Sequence, residues 1–409
     1  MLSAPRADHR RREPRPDQMP IAVFALALAA FSIGTTEFII SGILLSVSRD
    51  LAVSVPTAGL LVTGYAAGVA VGGPLLGLLT NRLPLKPAIM GVMGIFALGQ
   101  LLCALAPSYA LLLAARLVSA CGHGVFFGVA SVAVSQSVPA HKRGAALSLF
   151  VGGITVANIL GLPAGTAVGN AFGWRASFLM IAVLALLSVF AVFATLPAET
   201  HGEKEADAPL ALQARQLFRQ EVFFSYVAIA VTMVGQLAFG TFQVAALINV
   251  TGIDPIAGVP IYLLIGGAGA VTGIWLGGKG ADRDVGAAMM VVFVGQIACF
   301  ALLLPALHHP VAAAAMLFFS SAFGFGFSTP VQLRVLNGAR EAPRLASTMI
   351  STAYNVGIAL GAFLGALLLT NGLDYGLLPL VGVGCSSVAG LIAFVSLRVE
   401  RRRTALAAA

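Results

Sequence analysis

Charge is what this chain has least of. Of its 409 residues, 10% are Asp, Glu, Lys or Arg, 58% are hydrophobic, and the mean hydropathy is +0.94. A water-soluble domain carries about 25% charged residues, so this chain cannot clothe a water-facing surface. A bilayer removes that demand, because hydrocarbon asks only that backbone groups be satisfied internally, as they are in helices. Cysteine is also scarce. Cys103, Cys121, Cys299 and Cys385 each lie in an apolar run and form no C-x-x-C pair, which argues against zinc and disulfide chemistry and for buried thiols. A Gly-rich phosphate motif is missing, which argues against an ATP-driven pump. No Lys lies mid-span to carry a Schiff base, and no carboxylate or His cluster marks a membrane enzyme; His308-His309 has no acidic neighbour. The net charge of +8 comes from short basic clusters between apolar runs, a pattern unlike a nucleic-acid surface. No cofactor, metal or nucleic-acid partner is expected.

Long apolar runs fill the rest. A helix needs about 20 apolar residues to cross the hydrocarbon, and the chain offers twelve such runs: 20–46, 57–80, 87–106, 109–137, 145–169, 175–197, 221–249, 258–279, 286–306, 311–335, 345–370 and 376–398. The first is longer than a signal h-region of roughly 7–15 residues and lacks a cleavage pattern, so a first membrane helix is expected there. The polar stretch 198–220 divides the chain into six-helix bundles at 20–197 and 221–398, with polar tails at 1–19 and 399–409. With the N-terminus inside, only Arg49 and Arg175 fall outside and Arg116 lies within a span. The other 21 of 24 Lys and Arg residues are then inside. The positive-inside rule thus puts both termini in the cytoplasm. A short chain without an organelle signal reads as a bacterial inner-membrane protein, and a monomer is expected.

The halves echo each other. Gly77, Asn81 and Arg82 after span two recur as Gly278, Asp282 and Arg283, offset by 201; Gly122-x-Gly124 recurs as Gly324-x-Gly326, offset by 202; Gly161-xxx-Gly165 recurs as Gly361-xxx-Gly365, offset by 200. Parallel six-helix repeats are the internal symmetry of one large transporter class. At these residues the whole chain resembles the major facilitator superfamily. Its loop motif G-x-x-x-D-R-x-G-R-K is matched by Gly77, Arg82 and Lys86, with Asn81 in place of the Asp, which returns in the second copy as Asp282-Arg283. The resemblance implies a gate at the cytoplasmic face, although these loops also serve simply as positive-inside connections. Arg116 before Gly122, Gly124 and Gly128 is similar to the fourth-helix motif. Gly152, Gly161, Gly165 and Gly169 keep the spacings of the fifth-helix antiporter motif, with Pro163 displaced. These point to the drug:proton antiporter branch, and Gly34-Thr-Thr-Glu37-Phe38 looks like its arabinose-efflux and chloramphenicol-efflux members. Glycines four apart let helix backbones touch; they serve plain packing, a seam on which two halves rock, or both.

Ionisable groups inside a membrane cost at least about 2.5–3.5 kcal/mol on insertion scales, so each calls for a role. Three lie well inside spans: Glu37, Arg116 and His123. Counted from the outer ends of their runs, Glu37 lies about 13 Å deep and Arg116 about 10 Å. The resemblance implies that spans one and four are neighbours lining a cavity, so an ion pair or a water-bridged pair is expected, with His123 two turns further in. A carboxyl that alternates between dry and wet, or unpaired and paired, surroundings loads and releases a proton. A structural Glu–Arg clasp and direct recognition of a cationic substrate by Glu37 are the alternative roles, and helix packing is the alternative for His123. Candidate substrate groups are Thr36, Asn158, Gln236, Gln243, Asn249, Gln332, Tyr354 and Asn355. Gly34-Thr35-Thr36-Glu37 aligns loosely with Gly240-Thr241-Phe242-Gln243, the carboxylate replaced by an amide. That puts the proton in the first half and substrate binding in the second. The reading is an all-α membrane transporter, no enzyme, exchanging a small organic molecule for protons. Sugar efflux and proton-coupled uptake are the alternatives.

Overall fold

The computed structural model describes residues 19–80, 83–197, 216–339 and 343–408. Among them are twelve helices long and apolar enough to cross a membrane, and no strand. The first six are α1 (Ile21–Asp50), α2 (Val55–Thr80), α3 (Leu85–Leu105), α4 (Tyr109–Gln136), α5 (Arg143–Phe172) and α6 (Trp174–Thr195). The second six are α7 (Gln220–Asn249), α8 (Gly258–Arg283), α9 (Val285–Ala306), α10 (Pro310–Gly338), α11 (Pro343–Thr370) and α12 (Pro379–Ala408). Each expected span falls on one of these helices. α1 runs on to Asp50, so Glu37 sits near the middle of a 30-residue helix, deeper than its apolar run alone indicated.

Association in lipid cannot draw on the hydrophobic effect, so close backbone packing takes its place. Gly269, Gly273 and Gly277 of α8 face Phe318, Ala322 and Gly326 of α10; a Cβ at Gly273 would lie 1.8 Å from the Ala322 carbonyl oxygen. In the first half Gly68 and Gly73 of α2 face Ala120 and Gly124 of α4. The repeat therefore extends to contacts. Pairs α1–α5, α1–α6, α2–α4 and α3–α6 recur as α7–α11, α7–α12, α8–α10 and α9–α12. Large apolar side chains on the rim, among them Leu186, Phe190, Val291 and Leu391, are exposed where lipid would lie.

Among the described residues the halves meet chiefly where α2 packs on α11, α5 on α8, and α1 on the end of α7. Gly59 of α2 takes the Phe242 ring, and Gly267 of α8 meets the backbone of Asn158 and Ile159 of α5. Asn170 at the end of α5 donates to the Pro255 carbonyl at 2.7 Å. Gly59 and this hydrogen bond lie toward the face opposite the termini.

Three helices are irregular. α5 contains a π-turn at Ala157–Gly161. α7 breaks at Thr241 and Phe242 into Gln220–Gly240 and Gln243–Asn249. α10 is interrupted at Phe327. Irregular backbone inside a membrane is tolerated where protein or a cavity covers it, and the first two irregularities border the cavity described next.

The fifth-helix glycines pack within the first half. Gly161, Gly165 and Gly169 face Thr35, Ile39 and Ile43 of α1, and Gly152 meets nothing within 4 Å. The seam with the second half is made by Asn158 and Ile159, on another face of α5. Asn81 and Arg82 of the gating loop lie outside the described residues, as do 1–18 and 198–215. Gly77 falls in the last part of α2. Lys86 donates to the Phe193 carbonyl at 2.7 Å and lies over the Phe193 ring. Asp282 and Arg283 are exposed at the end of α8.

Candidate functional site: a cavity between the halves

A cavity enclosing about 980 Å³ of atom-free space, part of it open to solvent, lies between the halves. Glu37, Phe38 and Ser41 of α1 and Asn158 and Leu162 of α5 line it from one side. Gln236, Thr241 and Gln243 of α7, Tyr262 of α8 and Ser320 and Ser321 of α10 line it from the other. Phe239, Phe300 and Phe325 supply much of the apolar wall. Among the described residues on the wall, Glu37 is the one formal charge and no Lys, Arg or His is present. Among the described residues no group of three His, Cys, Asp or Glu could hold a metal ion.

Consecutive helix residues point about 100° apart. Glu37 therefore faces the cavity while Thr36, completely buried, faces α3 and α4. There Arg116 donates from one guanidinium nitrogen to both the Thr36 carbonyl and Oγ1, each at 3.0 Å. Thr36 Oγ1 donates in turn to Gln100 Oε1 at 3.0 Å, and Gln100 Nε2 donates to Ser119 Oγ at 2.5 Å. The guanidinium carbon lies 3.9 Å from the centre of the Tyr65 ring, a cation–π contact in a desolvated setting. Tyr65 Oη is 3.0 Å from His123 Nδ1, and His123 packs edge-on against Phe127.

Of the two arrangements expected for Glu37 and Arg116, the direct ion pair is not formed among the described residues. Arg116 is fully buried and grips the residue before Glu37, leaving Nε and its second terminal nitrogen without partners. Glu37 makes no hydrogen bond or ion pair among the described residues. The two charges sit on either side of α1, one toward the cavity and one toward the first-half core. A buried charge without its counter-ion is costly; here a carbonyl, a hydroxyl and an aromatic face offset part of that cost.

Of the sequence-derived substrate candidates, Asn158, Gln236 and Gln243 line this cavity together with Glu37. Gln236 donates to the Gly324 carbonyl at 2.6 Å, and Asn158 to Ile154 at 3.3 Å. Thr36 lies behind the wall. Asn249 is exposed at the far end of α7 and bonds Ala245. Gln332 is exposed on α10; Tyr354 packs against Phe327, and Asn355 donates to Ser351, all away from the cavity. Sequence reasoning missed Tyr65, Gln100 and Ser119 in the network, and Ser41, Thr241, Tyr262, Ser320 and Ser321 on the wall. Single hydroxyls in apolar helices carry no signal of their own; the Ser320-Ser321 pair and Gln100 could have drawn notice.

Comparison with known proteins fits this geometry. The chain is 36% identical over 380 residues to the inner membrane transport protein YdhP of Escherichia coli K12, covering 92% of this chain and 96% of that one. It is 31% identical over 352 residues to a chloramphenicol resistance protein of Streptomyces lividans, covering 85% and 89%. In fold it matches a bacterial homolog of the human lysosomal transporter Spinster, inward-facing and occupied, with a TM-score of 0.71 at 17% identity over 92% of this chain and 96% of that one. The family model for the Major Facilitator Superfamily matches residues 26–366. Two six-helix sets with the same internal contacts and a cavity between them are the architecture of a transporter rather than an enzyme, and the chain belongs to the Major Facilitator Superfamily.

Proposed function

We propose that the protein exports a small organic molecule in exchange for protons by alternating access. It does so from the inner membrane of a bacterium, with both termini in the cytoplasm. The observation that carries this reading is Glu37, the one carboxyl on the wall of a cavity shared by both halves. When the cavity opens outward, water reaches the carboxyl and it takes up a proton. When the halves rock and the cavity opens to the other side, the proton leaves and substrate enters. Arg116 is held behind α1 by Thr36, on the other side of the helix from the carboxyl. The rocking bodies are the six-helix bundles 20–197 and 221–398. The names of the relatives, a chloramphenicol resistance protein among them, support an organic substrate and export.

The test uses inverted membrane vesicles with an acidified lumen. Amphenicols, lipophilic cations and sugars are added in turn while a fluorescent dye reports lumen pH. One class of compound is expected to release protons from vesicles holding the wild-type protein, and Glu37→Gln is expected to abolish that release with insertion unchanged. A Glu37→Gln protein that still releases protons at the wild-type rate would sink the carrier role.

A further inference from the structure

Buried hydroxyls in these helices have an easy way to satisfy themselves: they donate to the carbonyl four residues earlier. Thr35 does so to Phe31 at 2.8 Å, Thr166 to Leu162 at 2.8 Å and Thr232 to Ala228 at 2.6 Å. Thr241 does not. Its backbone is still helical (φ −62°, ψ −36°), and its own N–H reaches the Leu237 carbonyl at 3.1 Å. Its Oγ1 nevertheless has no partner, and the residue is 1% exposed. Of the buried serine and threonine hydroxyls without partners among the described residues (Thr63, Thr241, Thr251, Ser386), only Thr241 is on the cavity wall. A buried hydroxyl without a bond is costly, and such orphans call for an explanation.

The surroundings narrow what would complete it. Thr241 stands at the break of α7, and two residues on, Gln243 also faces the cavity with no hydrogen bond to the described residues. Glu37 is the only charge on the wall, and it is on α1; the second-half wall offers hydroxyls, amides and a phenol between aromatic rings. Anions meet a carboxylate and no cation. An uncharged group that can both give and take hydrogen bonds meets Thr241 and Gln243.

Granted the export reading above, we infer that Thr241 and Gln243 form the specificity-determining subsite for an uncharged hydroxyl, amide or carbonyl group of an amphiphilic substrate. Proton and substrate then occupy different halves: Glu37 titrates, while Thr241 and Gln243 select. The choice among uncharged substrates is made at the α7 break.

Equilibrium binding of three uncharged amphenicols, and of tetraphenylphosphonium as a cationic control, is measured on the full-length protein in nanodiscs. Thr241→Val is expected to bind the best amphenicol about tenfold more weakly, the loss of one hydrogen bond. Thr241→Ser is expected to restore affinity. Because the hydroxyl has no partner within the protein, Thr241→Val is expected to unfold at the wild-type temperature or above, which a structural threonine would not do. The subsite is overturned if Thr241→Val keeps full affinity, if Thr241→Ser is as weak as Thr241→Val, or if wild type binds tetraphenylphosphonium and no amphenicol. The expected binding pattern without proton release in the vesicles would keep the subsite and defeat proton coupling instead.

Discussion

At the scale of single residues, the site is built around one arginine that cannot be exchanged for lysine. Arg116 makes two hydrogen bonds to Thr36 from one nitrogen while its guanidinium carbon lies 3.9 Å from the centre of the Tyr65 ring. A lysine carries its charge on a single ammonium, and once that is bonded to Thr36 nothing is left to cover the ring. Arg116→Lys is expected to lose about 2 kcal/mol of stability, read as a lower midpoint in a thermal unfolding assay of the detergent-solubilised protein. An unchanged midpoint would mean that the stack and the paired bonds contribute little. Glu37, Arg116 and His123 were legible in the sequence because a charge or imidazole in an apolar run is expensive and stands out. Tyr65, Gln100 and Ser119 were not, since such side chains are common in membrane helices and their value depends on which way they face. Direction misled in the other sense too: Asn249, Gln332, Tyr354 and Asn355 are as polar as Gln243 but do not reach the same cavity.

At the scale of helices, glycines differ by what stands opposite them. A Cβ at Gly273 would collide with the Ala322 carbonyl, part of a backbone that yields only if α8 and α10 separate. A Cβ at Gly152 would enter open space, and alanine is the better helix former by about 1 kcal/mol. Gly273→Leu is expected to yield little folded protein, and Gly152→Ala to fold at least as well as wild type, both judged by size-exclusion profiles of a fluorescent fusion. Equal profiles for the two variants would show that the α8–α10 contact carries no weight. The helices themselves were legible almost end to end, because bilayer thickness sets the length of an apolar run. The π-turn of α5 and the break of α7 were not. No proline sits within the break of α7, and Pro163, which offers no N–H to the Ile159 carbonyl in the π-turn of α5, does not by itself say which irregularity results.

For the whole molecule, the repeat was legible as one recurring loop motif and two recurring glycine pairs, and it reappears in the matching α2–α4 and α8–α10 contacts. Which surfaces join the halves was not legible, because a stripe of small residues looks the same whether it faces a partner in its own half or in the other. The Asn170–Pro255 hydrogen bond ties the halves together toward the face away from the termini. If alternating access opens that face, a cysteine pair at these positions is expected to stop transport on oxidation and recover it with reductant. Rapid cross-linking with undiminished transport would show that the halves never part there.

The gripping of Arg116 also bears on how the chain is made. A helix bearing a bare arginine is a poor passenger for insertion. Yet Thr36 and Tyr65, the residues that receive this side chain, both lie earlier in the chain, as does Gln100, which braces Thr36. Synthesis runs from the N-terminus, so α1, α2 and α3 have left the ribosome before α4 emerges. The receptor for the charge is thus delivered ahead of the charge itself, and the order of residues in the gene doubles as an assembly schedule.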